Sequence, residues 1–132
     1  MVGRRQPHTL IVDPERETRL ALRAALREAG HRVVTAAGGE EALSRLRDTH
    51  FDLVVTALRL RGSLNGLRLL NMTKWRCPGT AVILLVASGS LDSALAAIRE
   101  GVDGYLLKPV DPISLRAAAQ RALEQGGPGR HV

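Results

Sequence analysis

Aromatic side chains are almost missing from this chain: Phe51, Trp75 and Tyr105 are the three it has in 132 residues. Without a row of rings there is no stacking platform for single-stranded nucleic acid. Cysteine is nearly missing too. Cys77 stands alone, so no internal disulfide can form, and a reducing cytoplasm is the expected setting. No apolar run approaches the ~18 residues of a membrane span. The opening Met1-Val2-Gly3-Arg4-Arg5-Gln6-Pro7 also lacks the apolar stretch of a signal peptide. Lysine is scarce: of 19 basic residues only Lys74 and Lys108 are lysines. The net charge of +6 and pI near 10.9 therefore rest on arginines scattered through nearly every segment. That pattern reflects base composition of the gene more than a nucleic-acid groove, so nucleic-acid binding by this chain itself is not expected.

Motifs for catalysis are absent as well. There is no Gly-x-x-x-x-Gly-Lys loop to cradle phosphates and no G-x-G-x-x-G turn. His8, His31, His50 and His131 sit at element edges, with no spacing that suggests a triad or a metal cluster. The expectation is a protein that is not an enzyme and carries no cofactor and no metal.

What is present is a regular alternation. With 45% apolar residues the chain can build one core, and its length suits one domain. Strands are predicted over 8–12, 32–35, 53–57, 80–86 and 104–107. Helices are predicted from Pro14 to the left-handed cap Gly30, over 39–47, over 67–75, over 90–100 and over 112–125. Pro14 is assigned to the first turn of the first helix, where its missing N–H costs nothing. Asp111 is expected to cap the last helix, with Pro112 at its first position. Leu53-Val54-Val55-Thr56-Ala57 and Val82-Ile83-Leu84-Leu85-Val86 are apolar without alternation, as strands buried on both faces of a parallel sheet are. Five strands alternating with five helices argue a doubly wound α/β fold. The domain is expected over 8–125, between a tail at 1–7 and a flexible tail or linker stub at 126–132.

Open α/β sheets place their sites at the carboxyl ends of the strands. Those ends hold Asp13, Ala57, Val86 and Lys108-Pro109. Five segments lie in a telling order: Leu10-Ile11-Val12-Asp13, Phe51-Asp52-Leu53-Val54, Asn65-Gly66-Leu67, Val82-Ile83-Leu84-Leu85, and Gly101-Val102-Asp103-Gly104-Tyr105-Leu106-Leu107-Lys108-Pro109. In these the chain resembles the receiver domain of bacterial response regulators, the CheY-like fold, over residues 8 to about 125. The resemblance implies a five-stranded sheet in the order 2-1-3-4-5 and a cis peptide before Pro109. It also implies a site made of two carboxylates after strand one that hold Mg²⁺, an acceptor aspartate ending strand three, a hydroxyl residue ending strand four, and a lysine. Mg²⁺ takes oxygen ligands, and phosphoryl transfer relies on positioning and charge neutralisation.

Asp13 and Lys108 match that pattern, and three positions depart from it. Pro14 replaces the second carboxylate, Ala57 the acceptor and Val86 the hydroxyl. Arg61 stands where a proline is usual, and the loop through Ser63-Leu64-Asn65 is one residue longer. Thr56 cannot substitute, because strand side chains alternate faces. Asp52 lies at the far end of its strand, Glu15 is a favourable charge on the first helical turn, and Ser88 and Ser90 lie beyond the strand end. With the other carboxylates gone, a direct ion pair between Asp13 and Lys108 is expected.

The resemblance also implies an output face on the fourth predicted helix, the fifth strand and the fifth helix. Tyr105 would be its switch ring, beside Val86. Asp92, Arg99, Asp103, Asp111 and Arg116 supply mixed charges there for a protein partner or a second copy. The reading that follows is a phosphorylation-independent pseudo-receiver of an atypical bacterial response regulator, serving interaction or dimerisation in signalling or transcription control. Two alternatives stay open: a sensor of a small ligand or anion at the site near Lys108, and the regulatory domain of a longer DNA-binding regulator.

Overall fold

Apolar runs without alternation become the inner strands of a parallel sheet. The computed structural model describes residues 6–87, 89, 99 and 101–125. It holds five parallel strands, β1 (His8–Val12), β2 (Arg32–Ala36), β3 (Leu53–Ala57), β4 (Ala81–Val86) and β5 (Gly104–Leu107). They form one sheet in the order β2-β1-β3-β4-β5, the expected doubly wound order. Every residue of β3 and β4 is buried, whereas β5, at the edge, alternates. Four helices occur among the described residues: α1 (Arg16–Glu28), α2 (Gly39–Asp48), α3 (Gly66–Arg76) and α4 (Pro112–Gln125). The further helix expected over 90–100 falls outside the described residues except for Arg99, as does the tail at 126–132.

Alternation along the strands builds a core on each face. Leu10, Val12, Val54, Leu84 and Val86 pack with Leu69 and Leu70 of α3 and Ala42 of α2. Ile11, Val55, Ile83 and Leu85 pack with Leu22 and Leu26 of α1 and Leu115 of α4. Each fully buried aliphatic side chain of this kind gains about 1.5–3 kcal/mol on leaving water.

The helix ends follow local chemistry. Gly30, at φ +94°, stops α1. Its N–H reaches Arg27 O at 3.0 Å, and the His31 N–H reaches Leu26 O at 3.0 Å, a complete Schellman cap. Asp111 caps α4 as expected, its Oδ2 accepting from the Ser114 backbone N–H at 2.9 Å. Pro14 is a correction. It lies in the turn before α1, because Asp13 Oδ1 accepts the Glu15 N–H at 2.9 Å and turns the chain before the helix can begin.

Candidate functional site

The carboxyl edge of the sheet gathers Asp13, Ala57 and Lys108. Alternation puts them on the face of Ile11, Val55 and Leu106, toward α1 and α4. Asp13 is fully buried. Its backbone is held by Ala36 O, which accepts the Asp13 N–H at 3.1 Å. Lys108 is fixed in the same way, its N–H donating to Val86 O at 2.9 Å. The peptide between Lys108 and Pro109 is cis.

The two side chains meet. Lys108 Nζ lies 2.8 Å from Asp13 Oδ2 and 3.6 Å from Glu15 Oε1. Asp13 Oδ2 receives no hydrogen bond of good geometry despite that distance, so the contact is an ion pair held mainly by charge. Glu15 Oε1 also accepts from Thr18 Oγ1 at 3.1 Å. A second cation closes the site from α1: Arg19 Nη1 donates to the Asp13 carbonyl at 2.8 Å. Arg19 escaped the sequence reading. The only signal for it was an arginine one turn into the helix that follows Asp13.

Ala57 ends β3 with its methyl buried, and Thr56, also buried, turns its hydroxyl onto the Ala57 carbonyl at 3.0 Å. That carbonyl is crowded further by α3. A Cβ on Gly66 would sit 2.1 Å from Ala57 O, so glycine is needed where α3 passes the strand end. Asn65 caps α3 there, its Oδ1 accepting the Arg68 N–H at 2.9 Å. Val86 is a correction: it is fully buried in the core on the other face of the sheet, because strand side chains alternate, and its neighbour Ala87 lines the groove with Lys108 instead.

These residues do not fit a divalent cation. One Asp13 oxygen accepts a backbone N–H, the other faces an ammonium, and Pro14 and Ala57 bring no ligand. Among the described residues no cluster of three or more His, Cys, Asp or Glu side chains could hold a metal ion. Beside the ion pair a groove of about 480 Å³ runs between α1 and the connection from β5 to α4, lined by Glu15, Glu17, Thr18, Leu22, Lys108 and Val110 among others.

The predicted output residues do not form one patch. Asp103 lies at the other end of the sheet, where its Oδ2 takes the Lys74 ammonium at 2.6 Å and the Val82 N–H at 2.7 Å. Arg116 reaches toward α1, 3.4 Å from Glu28 Oε1. Asp111 serves as a helix cap. Asp92 lies outside the described residues. Arg99 is exposed, and Tyr105 is 46% exposed, on the sheet face that also carries Val86. Leu107 and Ile113 are exposed apolar neighbours of these elements that the sequence reading passed over.

A family model, the response regulator receiver domain, matches residues 9–120. This chain belongs to that family. Among curated relatives, the transcriptional regulatory protein GlrR of Escherichia coli is 39% identical over 121 residues, covering 92% of this chain and 27% of the relative. The alginate biosynthesis transcriptional regulatory protein AlgB of Pseudomonas aeruginosa is 35% identical, covering 91% and 26%. The receiver thus spans about a quarter of the length of these relatives. Among solved structures, the receiver domain of NtrX from Brucella abortus superposes with a TM-score of 0.85 at 34% identity, covering 89% of this chain and 99% of that one. A receiver domain protein from Clostridium thermocellum gives 0.83 at 31% identity, covering 89% and 94%. No helix among the described residues is long and apolar enough to cross a membrane.

Proposed function

We propose that this receiver is a phosphorylation-independent pseudo-receiver of an atypical bacterial response regulator. It works in the cytoplasm as a protein-interaction or dimerisation module in signal transduction or transcription control, and it is not an enzyme. The observation that supports this reading best is the 2.8 Å pair of Lys108 and Asp13. The lysine that would neutralise a phosphoryl group already has an anion, and the Ala57 methyl offers no oxygen to a phosphodonor. The test is incubation with acetyl phosphate and Mg²⁺ followed by intact-mass measurement. No adduct is expected; a phosphoryl adduct on the native chain overturns the reading.

Contact with a partner or a second copy falls to the β5 edge and the start of α4, where Tyr105, Leu107 and Ile113 expose apolar surface. A place within a longer transcriptional regulator is favoured by the short share of GlrR and AlgB that the chain matches; DNA contact then belongs to another part of that protein. An anion sensor is disfavoured, because Lys108 is neutralised and the groove beside it carries Glu15 and Glu17.

A further inference from the structure

One end of this molecule complements the other, yet a single copy cannot bring them together. Trp75, in the last turn of α3, is 87% exposed. The one ring pair among the described residues is His8 with Phe51, so nothing aromatic covers the indole. Its helix, GLRLLNMTKWR, contains Arg68, Lys74 and Arg76 and no carboxylate. Lys74 is neutralised by Asp103 at 2.6 Å. Arg76, next to Trp75, is left to give that end its positive charge, whereas Arg68 lies at the other end of the helix. A large exposed ring beside a free arginine has the composition of an interface anchor.

The groove beside the ion pair has the opposite character. Its lining combines apolar Ala21, Leu22, Pro109 and Val110 with Glu15 and Glu17. Its volume of about 480 Å³ lies within the ~300–1,000 Å³ of pockets that enclose small ligands, ample for one indole. Lys108 adds little charge there, because Asp13 neutralises it. Glu17 has no ion-pair partner among the described residues. An acid-lined apolar groove fits an apolar group flanked by a cation and rejects an anion.

We infer that this groove docks Trp75 of a second copy of the chain, with Arg76 of that copy against Glu17. The two surfaces sit at opposite poles. α3 leaves the carboxyl end of β3, where the Gly66 N–H meets Leu58 O, and delivers the chain to the start of β4. Trp75 therefore lies at the amino edge of the sheet, on the face covered by Leu69 and Leu70. The groove lies at the carboxyl edge, on the face covered by Leu22. The contact is head-to-tail, and such contacts extend into rings or filaments rather than stopping at a symmetric pair.

The test uses the whole 132-residue chain carrying Ile113→Asp, which disables the β5-edge contact and keeps the two mechanisms apart. Sedimentation velocity up to about 1 mM is expected to show mass growing beyond a dimer, with the Trp75 emission moving to the blue, both weakened by added salt. Trp75→Ala and Glu17→Lys are each expected to raise the association Kd by about tenfold or more. Mixed at a concentration where neither associates alone, the two variants should form a dimer and nothing larger, because one offers the groove and the other the indole; the single tryptophan in that mixture reports the docking. A chain that stays monomeric, assembly indifferent to Trp75→Ala, or folded variants that fail to complement would each overturn the inference. None of these outcomes bears on phosphorylation, which the mass measurement decides separately.

Discussion

Lys108 Nζ rests 2.8 Å from Oδ2 of Asp13, a carboxylate with no exposed surface, while the lysine side chain keeps 25% of its own. The two ends of this ion pair are therefore unequal. Removing the lysine strands a buried anion. Removing the anion leaves an ammonium that can turn to water or to Glu15 at 3.6 Å. Breaking a pair costs most where the surviving charge is most deeply buried. Lys108→Met is expected to lower unfolding free energy by about 2–4 kcal/mol and Asp13→Asn by about 1–2 kcal/mol. Urea denaturation of the two variants checks the order; equal costs, or none, would contradict the asymmetry.

The same pair makes a prediction about restoring chemistry. Ala57→Asp alone places a nucleophile at the end of β3 but leaves Pro14 where a metal carboxylate is wanted and Ala87, which lines the groove beside Lys108, without a hydroxyl. Mg²⁺ keeps its waters unless several oxygens replace them. The single variant is expected to stay unphosphorylated by acetyl phosphate, and Pro14→Asp, Ala57→Asp and Ala87→Thr together are expected to gain one phosphoryl group by intact mass. A single variant that labels as well as the triple would show that the other two positions do not matter.

The fold was legible because the hydrophobic pattern over-determines it. The runs at 53–57 and 81–86 have no polar side to turn outward, so both faces had to be covered. The ion pair was legible for a related reason, since strand ends of a parallel sheet converge and Asp13 and Lys108 carry opposite charge. The output face was less so. The family resemblance assigns Asp103, Asp111 and Arg116 to one output face with β5 and α4. Which way each side chain turns depends on partners distant in sequence: Lys74 is 29 residues from Asp103, and Glu28 is 88 residues from Arg116. Pro14 was misplaced because a side-chain bond from Asp13 competes with the helix start, and composition does not reveal which of the two wins.

Asp103 shows what a misassigned charge does instead. Its Oδ2 holds the Lys74 ammonium and the Val82 N–H, and Lys74 also donates to Thr80 O at 2.9 Å. One carboxylate thus ties the end of α3 to the start of β4 and β5. Asp103→Ala leaves a partly buried N–H and an ammonium short of a partner, which costs about 1–3 kcal/mol. Chemical denaturation is expected to show that loss, whereas Asp111→Ala, which removes only an exposed cap, is expected to cost about 0.5–2 kcal/mol. A neutral Asp103→Ala would mean that the clamp is replaced by water at no cost.

His31 supplies the pH dependence. It is buried beside β1, with Nδ1 2.7 Å from the hydroxyl of Thr9. Burial pushes its imidazole below the ordinary 6.5, and the charge of Asp52 opposes that shift in part. With the folded pKa depressed, the unfolded chain binds the proton more readily. The contribution is whole above pH 6.5 and is lost as pH falls toward the folded value, with a slope of at most about 1.4 kcal/mol per pH unit. Wild type and His31→Gln are therefore expected to differ more in stability at neutral pH than in mild acid. Urea midpoints across that range provide the measurement, and parallel profiles for the two proteins would assign the acid sensitivity to other groups.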